Sequence, residues 1–594
     1  MLVDIPVFSG ARPLVDPRLL DQSQAQVAEC CMVKSGAIRP LRRMKTQTRL
    51  TVLGVEDIAL YEGDWLPFFE PVSLCRSLVN ADGLARMYYT GRDSGAMMFR
   101  KAADGGAAAP VRLGLPAPLA APVVVVEGEG VANADTFTAY WVWTWVSDLG
   151  EESAPSPASR LCDCKAGQSF VVSGMALPDA VGRNPAASKR LYRGNSGATA
   201  TTEQLVAEFD ASLEAFTDTV LPSELADALA TEGWLPPPDG LQGLVTVRGG
   251  ALAGFVGNKL YFSEPFAPYA WPRKYAQSLE HDIVALAATG SYLVALTNAA
   301  AYLIPCDDIT VTAPTRLEGY TPCAGARGAV SMRQGVLFPS VDGLYLVSGG
   351  TTTPQNLTAS VISEEDWRAL NPVSFRAWPL GDLYVCFCED TSGVKRGFVF
   401  DLAAPTMLLG LSLHASCGWL EPEGRALYLG SPEGGRTSIC LWEGDTVRYS
   451  AQWRSKVFRS PSVVSMAAAR VEADYPEILD REDYLAAQQA LAASYAAELA
   501  SGDLGGRLGT SRCGTVPFAG DILDMLLAPY FEEPVLAFRL FVDGREVCRR
   551  NVTSAAPFTL PAVSGVEFEV MISGPVQVRR VCLATSMAEV RAAG

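Results

Sequence analysis

Strand-like stretches recur along the chain, and in residues 138–159, TAYWVWTWVSDLGEESAPSPAS, aromatic and β-branched positions alternate before an acidic turn and a Ser/Pro run. In an extended strand this puts Trp141, Trp143 and Trp145 on one face and Tyr140, Val142, Thr144 and Val146 on the other. Three tryptophans in a row can serve as a sugar-stacking platform. More often such a row is one wall of a sandwich core, because aromatic rings of this size gain most from full burial.

Short apolar runs between turn signals recur after residue 250. Units such as GFVGNKLYFSEPFAPYAWP, TGSYLVALTNAAAYLIP, RQGVLFPSVDGLYLVSGG and the two that follow begin at Gly254, Thr289, Arg333, Pro379 and Glu421. The successive spacings of 35, 44, 46 and 42 residues match the blades of a β-propeller, about 40 to 50 residues each. Two earlier runs, LTVLGVEDIALYEG and LARMYYTGRDSGAMMFRKA, supply one or two more blades, so six or seven are expected. Asp342-Gly343 and Asp543-Gly544 are expected to supply the positive φ of tight hairpins.

The tryptophan stretch lies between these early and late runs, flanked by AAAPVRLGLPAPLAAP and EGWLPPPDGLQG, both proline-rich as domain linkers are. An immunoglobulin- or fibronectin-like β-sandwich inserted in the propeller accounts for it. LDREDYLAAQQALAASYAAELASGDLGG breaks the β pattern: Asp480 caps a helix, alanines propagate it and Gly502 ends it. The expected division is an extended N-terminal arm at 1–49, first propeller strands at 50–117, the sandwich at 118–238, main blades at 239–474, the helical insertion at 475–505, and at 506–594 a β segment that closes the propeller or forms a small module. The fold class is all-β.

Composition narrows the function. A formal charge of −17 argues against general nucleic-acid binding, which depends on neutralising phosphates with Lys and Arg. The N-terminus lacks the basic start and apolar run of a secretory signal, and no window approaches 18 apolar residues, so neither export nor a membrane span is expected. Fourteen cysteines include no C-x-x-C pair; the two C-x-C pairs, Cys162/Cys164 and Cys386/Cys388, read as buried free thiols. His281 and His414 are the only histidines and cannot build a histidine metal cage. Phosphate-loop, dinucleotide, zinc-protease and serine-hydrolase motifs are absent. The adjacent carboxylates Glu151/Glu152, Glu364/Glu365 and Glu532/Glu533 point apart on a strand or loop, unlike a glycosidase pair. No enzyme, cofactor or metal is expected.

Between Glu29 and Glu56 every charge is positive: Lys34, Arg39, Arg42, Arg43, Lys45 and Arg49. This is either a solvated basic arm or a docking segment for an acidic partner. The arm also carries Gly10-Ala11-Arg12-Pro13, Leu19-Leu20, Ala25, Ala28 and Gly36-Ala37-Ile38-Arg39-Pro40. With DLGEESAPSP, LYRGNSG, Trp234-Leu235-Pro236-Pro237-Pro238, YFSEPFAPYAWP, VLFPSVDGLYLV, WRSKVF and VRRVCLATSMAEV, these resemble the tail nozzle or hub proteins of short-tailed bacteriophages, also called tail tubular or stabilisation proteins. Where that pattern leads one to expect Asn, this chain has Cys30 and Cys31.

The resemblance implies a propeller carrying a sandwich and a homo-hexameric ring below the portal and adaptor, with tail fibre or tail needle proteins as further neighbours. It implies assembly in a bacterial cytoplasm, residence in the virion tail, and a lumen through which genome DNA leaves without sequence-specific binding. Six copies would carry a formal charge of about −102, and an acidic lumen would repel duplex DNA. Lys34, Arg39, Arg42, Arg43 and Lys45 are the expected adaptor-docking residues. The alternatives are a glycan-binding or glycan-cleaving propeller using Trp141, Trp143 and Trp145, and a peptide-binding scaffold propeller.

Overall fold

The computed structural model describes residues 2–79, 82–132, 134, 136–195, 202–475 and 536–593. The helix expected at 480–501 lies outside them. The chain forms two compact units, one of residues 45–406 and 413–442, the other of residues 1–44, 407–412 and 443–594.

The first unit contains a β-propeller. Among the described residues its inner strands are Asp57–Tyr61, Val72–Arg76, Gln242–Val247, Ile283–Thr289, Val330–Met332, Arg376–Leu380 and Cys417–Leu420. From Val72–Arg76 onward each neighbours the next, and Cys417–Leu420 lies against Asp57–Tyr61. The Val72 N–H donates to the Asp57 carboxylate at 3.0 Å and joins the two remaining inner strands. Seven positions are thus filled, one of them by only a hairpin, Asp57–Tyr61 with Asp64–Phe68. Antiparallel four-stranded sheets lie at 72–112, 242–278, 283–316 and 330–356. A further sheet pairs Cys417–Leu420, Leu427–Glu433 and Arg436–Leu441 with Lys45–Leu50, so a strand from near the N-terminus completes the last blade.

Each recurring apolar unit of the sequence is the middle hairpin of a blade. Tyr292–Thr297 and Ala301–Pro305 form one of these, and residues 293–297 and 301–304 are all buried because neighbouring blades cover both faces.

The sandwich sits between the blades at 72–112 and 242–278. One sheet is Val123–Glu127, Ser169–Ser173 and Ala215–Asp218; the other is Cys162–Lys165, Thr136–Ser147, Ala186–Asn195 and Glu203–Asp210. Trp141, Trp143 and Trp145 are fully buried between them with Phe170, Val172, Met175 and Leu191. They are the core wall, and none is available to stack on a sugar.

The other unit shows why residues 1–44 are not a free arm. Leu2–Ile5 pairs with Val578–Ala584, and Ala25–Glu29 pairs with Ala451–Ser455. The N-terminal segment is extended as expected, but its strands Leu2–Ile5 and Ala25–Glu29 are paired within this unit, and other backbone groups bond within the segment itself, as Phe8 N–H does to the Gly36 carbonyl. Leu536–Val542, Arg545–Val552 and Ser564–Gly574 belong to the same unit. The C-terminal β segment therefore forms a module with the N-terminal residues, and the propeller strands end before Glu443.

The two Asp-Gly turns differ. Asp543 and Gly544 have φ of 48° and 77°, as a tight hairpin requires. Asp342-Gly343 lacks a positive φ; instead Ser340 N–H donates to the Gly343 carbonyl at 2.8 Å. Gly343 is needed there for close approach, since a Cβ would lie 2.5 Å from the Asn356 side chain.

Candidate functional site

A cluster of four charged side chains in the propeller lies where inner strands begin. Glu56 and Asp57 open Asp57–Tyr61, Arg327 sits in the short turn Ala326–Gly328 before Val330–Met332, and Arg376 opens Arg376–Leu380. Arg327 donates to Asp57 Oδ1 at 2.6 Å, Glu56 Oε2 at 3.1 Å and the Glu56 carbonyl at 2.6 Å. Arg376 donates to Glu56 Oε2 at 2.8 Å and to the Ser416 carbonyl. Val330–Met332 stands three places round the ring from Asp57–Tyr61, so these side chains join across the ring's axis.

Two carboxylates and two guanidiniums balance in charge. Both terminal nitrogens of each arginine already have acceptors, which leaves the cluster suited to clasping the ring rather than capturing an anion. Burial pushes the Asp57 carboxyl up to about 6; Arg327 opposes the shift. Cys417, nearby, is pushed to about 12 by burial first and by the Asp57 charge second, and is therefore not a nucleophile at neutral pH. No local motif identifies this cluster: Arg327 and Glu56 are 271 residues apart, and the only trace is an adjacent acidic pair before an apolar run.

A second polar cluster supports the sandwich. Trp141, Trp143 and Trp145 each exchange two hydrogen bonds with a serine of ESAPSPAS. Their N–H groups donate to Ser159, Ser156 and Ser153 Oγ at 2.9, 3.1 and 3.1 Å. Those serines' own N–H groups return to the same tryptophans' carbonyls at 2.9, 2.9 and 3.0 Å. The serine period of three matches the strand's period of two, and the intervening Pro155 and Pro157 occupy positions where no donor is required. In the core, Asp218 Oδ2 accepts from Trp141 Nε1 at 2.8 Å and Arg193 at 2.9 Å, both charged side chains being fully buried.

The five basic residues have different surroundings. Arg39 makes a bidentate pair with Glu443 at 3.0 and 3.3 Å, and Arg42 N–H donates to the same carboxylate at 3.3 Å. Arg43 is half-buried, whereas Lys34 and the Arg42 side chain are exposed. Lys45 is exposed and opens the strand that completes the last blade, in the other unit.

The remaining chemical candidates also resolve into structure. Cys164, Cys386 and Cys388 are buried free thiols and Cys162 is half-buried. Burial pushes Cys164 and Cys388 up to about 11 and Cys386 well above its ordinary value. His414 packs edge-on to Phe387, and burial lowers its pKa. Glu152 accepts from Thr144 Oγ1 at 2.6 Å, Tyr192 Oη at 2.7 Å and Arg190 at 2.7 Å, while Glu151 turns to Asn184. Glu364 and Glu365 begin the short helix Glu364–Ala369. Glu532/Glu533 lie outside the described residues. Among the described residues no group of three or more His, Cys, Asp or Glu side chains could hold a metal ion, and no helix is long and apolar enough to cross a membrane.

No family model and no curated protein matches the chain. Among solved structures it is similar to the WD40 domain of Neurospora crassa Pan2, at 8% identity and a TM-score of 0.25, covering 49% of this chain and 87% of that one. It is similar also to BBS1N solved in complex with ARL6DN, at 8% identity and 0.27, covering 68% and 97%. A third likeness is to PorZ, a surface component of the Porphyromonas gingivalis type-IX secretion system, at 10% identity and 0.22, covering 69% and 44%. Likenesses this distant leave function to be argued from the chain's own residues.

Proposed function

We propose that this chain is a structural virion protein that forms a ring-shaped tail nozzle or hub below the portal and adaptor of a short-tailed bacteriophage. The observation that carries the reading is the sandwich seated between the blades at 72–112 and 242–278, the architecture that the sequence resemblance implies. Two further features favour a structural role. The charges where the inner strands begin are spent on one another, and the tryptophans required by a glycan-binding reading are buried in the sandwich core.

In this reading six copies form a closed ring, portal and adaptor sit above, and tail fibre or needle proteins attach beside or below. Genome DNA passes through the lumen without sequence-specific contacts, and the acidic composition keeps it from adhering. No catalytic step, cofactor or metal is assigned. Peptide-level quantitative mass spectrometry of purified particles tests the proposal: about six copies per twelve portal subunits is expected, and absence of the chain from particles would overturn it.

A further inference from the structure

The turn 147–152 sits where the sandwich meets the propeller, and it holds a carboxyl group that lacks a full set of partners. Ser147 N–H donates to the Glu151 carbonyl at 2.8 Å, Gly150 N–H to the Ser147 carbonyl at 3.0 Å, and Asp148 N–H to the Pro185 carbonyl at 2.9 Å. Leu149 packs against the propeller core containing Tyr88, Leu241 and Trp271. Asp148 pairs with Arg100 of the blade at 2.9 Å. The turn is therefore a plug from the sandwich into the propeller.

Glu151, at the end of this plug, is 3% exposed. Its Oε2 accepts from Asn184 Nδ2 at 3.0 Å and lies 3.5 Å from Ser147 Oγ, while its buried Oε1 has no hydrogen-bond partner. The Arg86 charge of the propeller partly offsets this burial, though its Nε donates to Asp82 at 2.8 Å and no Arg86 nitrogen bonds Oε1. The other ionisable groups around it are Asp148 on the turn, Tyr88 and Tyr269 of the propeller, and Glu152, which Arg190 neutralises. A carboxylate here would be a buried charge with an uncompensated oxygen, whereas the neutral acid avoids most of that penalty.

We propose that Glu151 is a proton-operated latch: the neutral acid keeps the 147–152 turn seated in the propeller, and ionisation drives it out so that Oε1 can reach water. Burial raises the acid's pKa when the turn is seated, with Asn184 and Arg86 opposing and Asp148 adding to the shift. In the open form the group returns to the ordinary carboxylate range. The seated form consequently binds the proton more tightly and is favoured at low pH. That preference fades as pH rises from the open-form pKa through the seated-form pKa. The device belongs to the junction itself and does not depend on the nozzle reading.

Hydrogen exchange of the full chain from about pH 4, below the ordinary carboxylate value, to about pH 8.5, corrected for intrinsic exchange rates, tests the latch at the Ser147, Asp148 and Gly150 amides. Their opening equilibrium should rise by up to about tenfold per pH unit and level off once the seated acid has ionised. Glu151→Gln should remove this slope while leaving peptides of the blade strand Tyr292–Thr297 unchanged. A flat profile in the unmodified chain would overturn the proposal even if the variant failed to fold. An equally steep profile in a folded Glu151→Gln chain would also overturn it.

Discussion

Ser156 and Trp143 exchange two hydrogen bonds: the serine N–H reaches the tryptophan carbonyl at 2.9 Å, and the tryptophan N–H reaches the serine Oγ at 3.1 Å. A side-chain oxygen thus stands where a neighbouring strand would offer a carbonyl. The same Oγ donates to the Pro157 carbonyl at 3.0 Å, so the hydroxyl is used in both directions. Ser156→Ala leaves the Trp143 N–H without its acceptor, at a cost of about 1–3 kcal/mol. A lower urea midpoint at unchanged slope would register that loss, whereas Ser156→Thr should recover most of it.

Trp143→Ala removes a fully buried ring from the sandwich core and should destabilise it by about 3–5 kcal/mol. Denaturation followed by near-ultraviolet circular dichroism measures this. The unmodified chain should give no tryptophan-dependent signal on a glycan array, because the three rings are covered.

Arg327→Met deprives Asp57 of its closest partner and Glu56 of one of its two, and because these side chains are only half-buried the loss should be about 1–3 kcal/mol, less than for a fully buried pair. Chemical denaturation at pH 7 reads it directly, and weaker closure of the propeller ring should appear as faster hydrogen exchange in Asp57–Tyr61.

The Asp57 carboxyl itself gives a pH dependence with a defined sign. Its native value of about 6 stands above the ordinary 3.8, so the native protein holds this proton more tightly than the unfolded chain. Stability from this group is present below about pH 4 and declines through about pH 6, by roughly 3 kcal/mol in all. The unfolding free energy of Asp57→Asn relative to the unmodified chain should therefore increase by that amount across the same window. A constant difference would mean that Arg327 holds the carboxylate ionised throughout.

Within the basic segment the residues should differ in effect. Arg39→Glu opposes Glu443 and should lower stability whether or not an adaptor is present. Replacing the exposed Lys34, Arg42 and Lys45 with Glu tests docking with fewer internal losses. If the chain is a tail nozzle as proposed, DNA-filled heads without it are expected by electron microscopy, and normal tails in that mutant would remove the docking role.

The middle blade strands were legible in the sequence because neighbouring blades bury them on both faces, leaving continuous runs such as YLVALT at 292–297. The inner strands were harder to see: Val330–Met332 has three residues, and its Ser331 hydroxyl reaches the Ala288 carbonyl. Outer strands such as Gln355–Asn356 have two residues and no periodicity to detect. The tryptophan wall was readable from the two-residue period that places Trp141, Trp143 and Trp145 on one face, and its serine partners were visible as a Ser/Pro run whose pairing required the structure. Glu56, Asp57, Arg327 and Arg376 meet through the ring, and local sequence carries no signal for contacts made at such separation.

Lys45–Leu50 completes a sheet whose other members lie at 417–441, with Leu50 opposite Thr437. During synthesis this strand emerges long before the edge it will occupy, by about 20 to 80 s at the usual rate of about 5–20 residues per second. Until then it is an unpaired edge in a nascent chain, carrying Lys45, Gln47 and Arg49 among its polar side chains, which oppose premature pairing with other strands. This blade is therefore finished by a strand translated long before its other members, and it cannot close until the ribosome has passed residue 441.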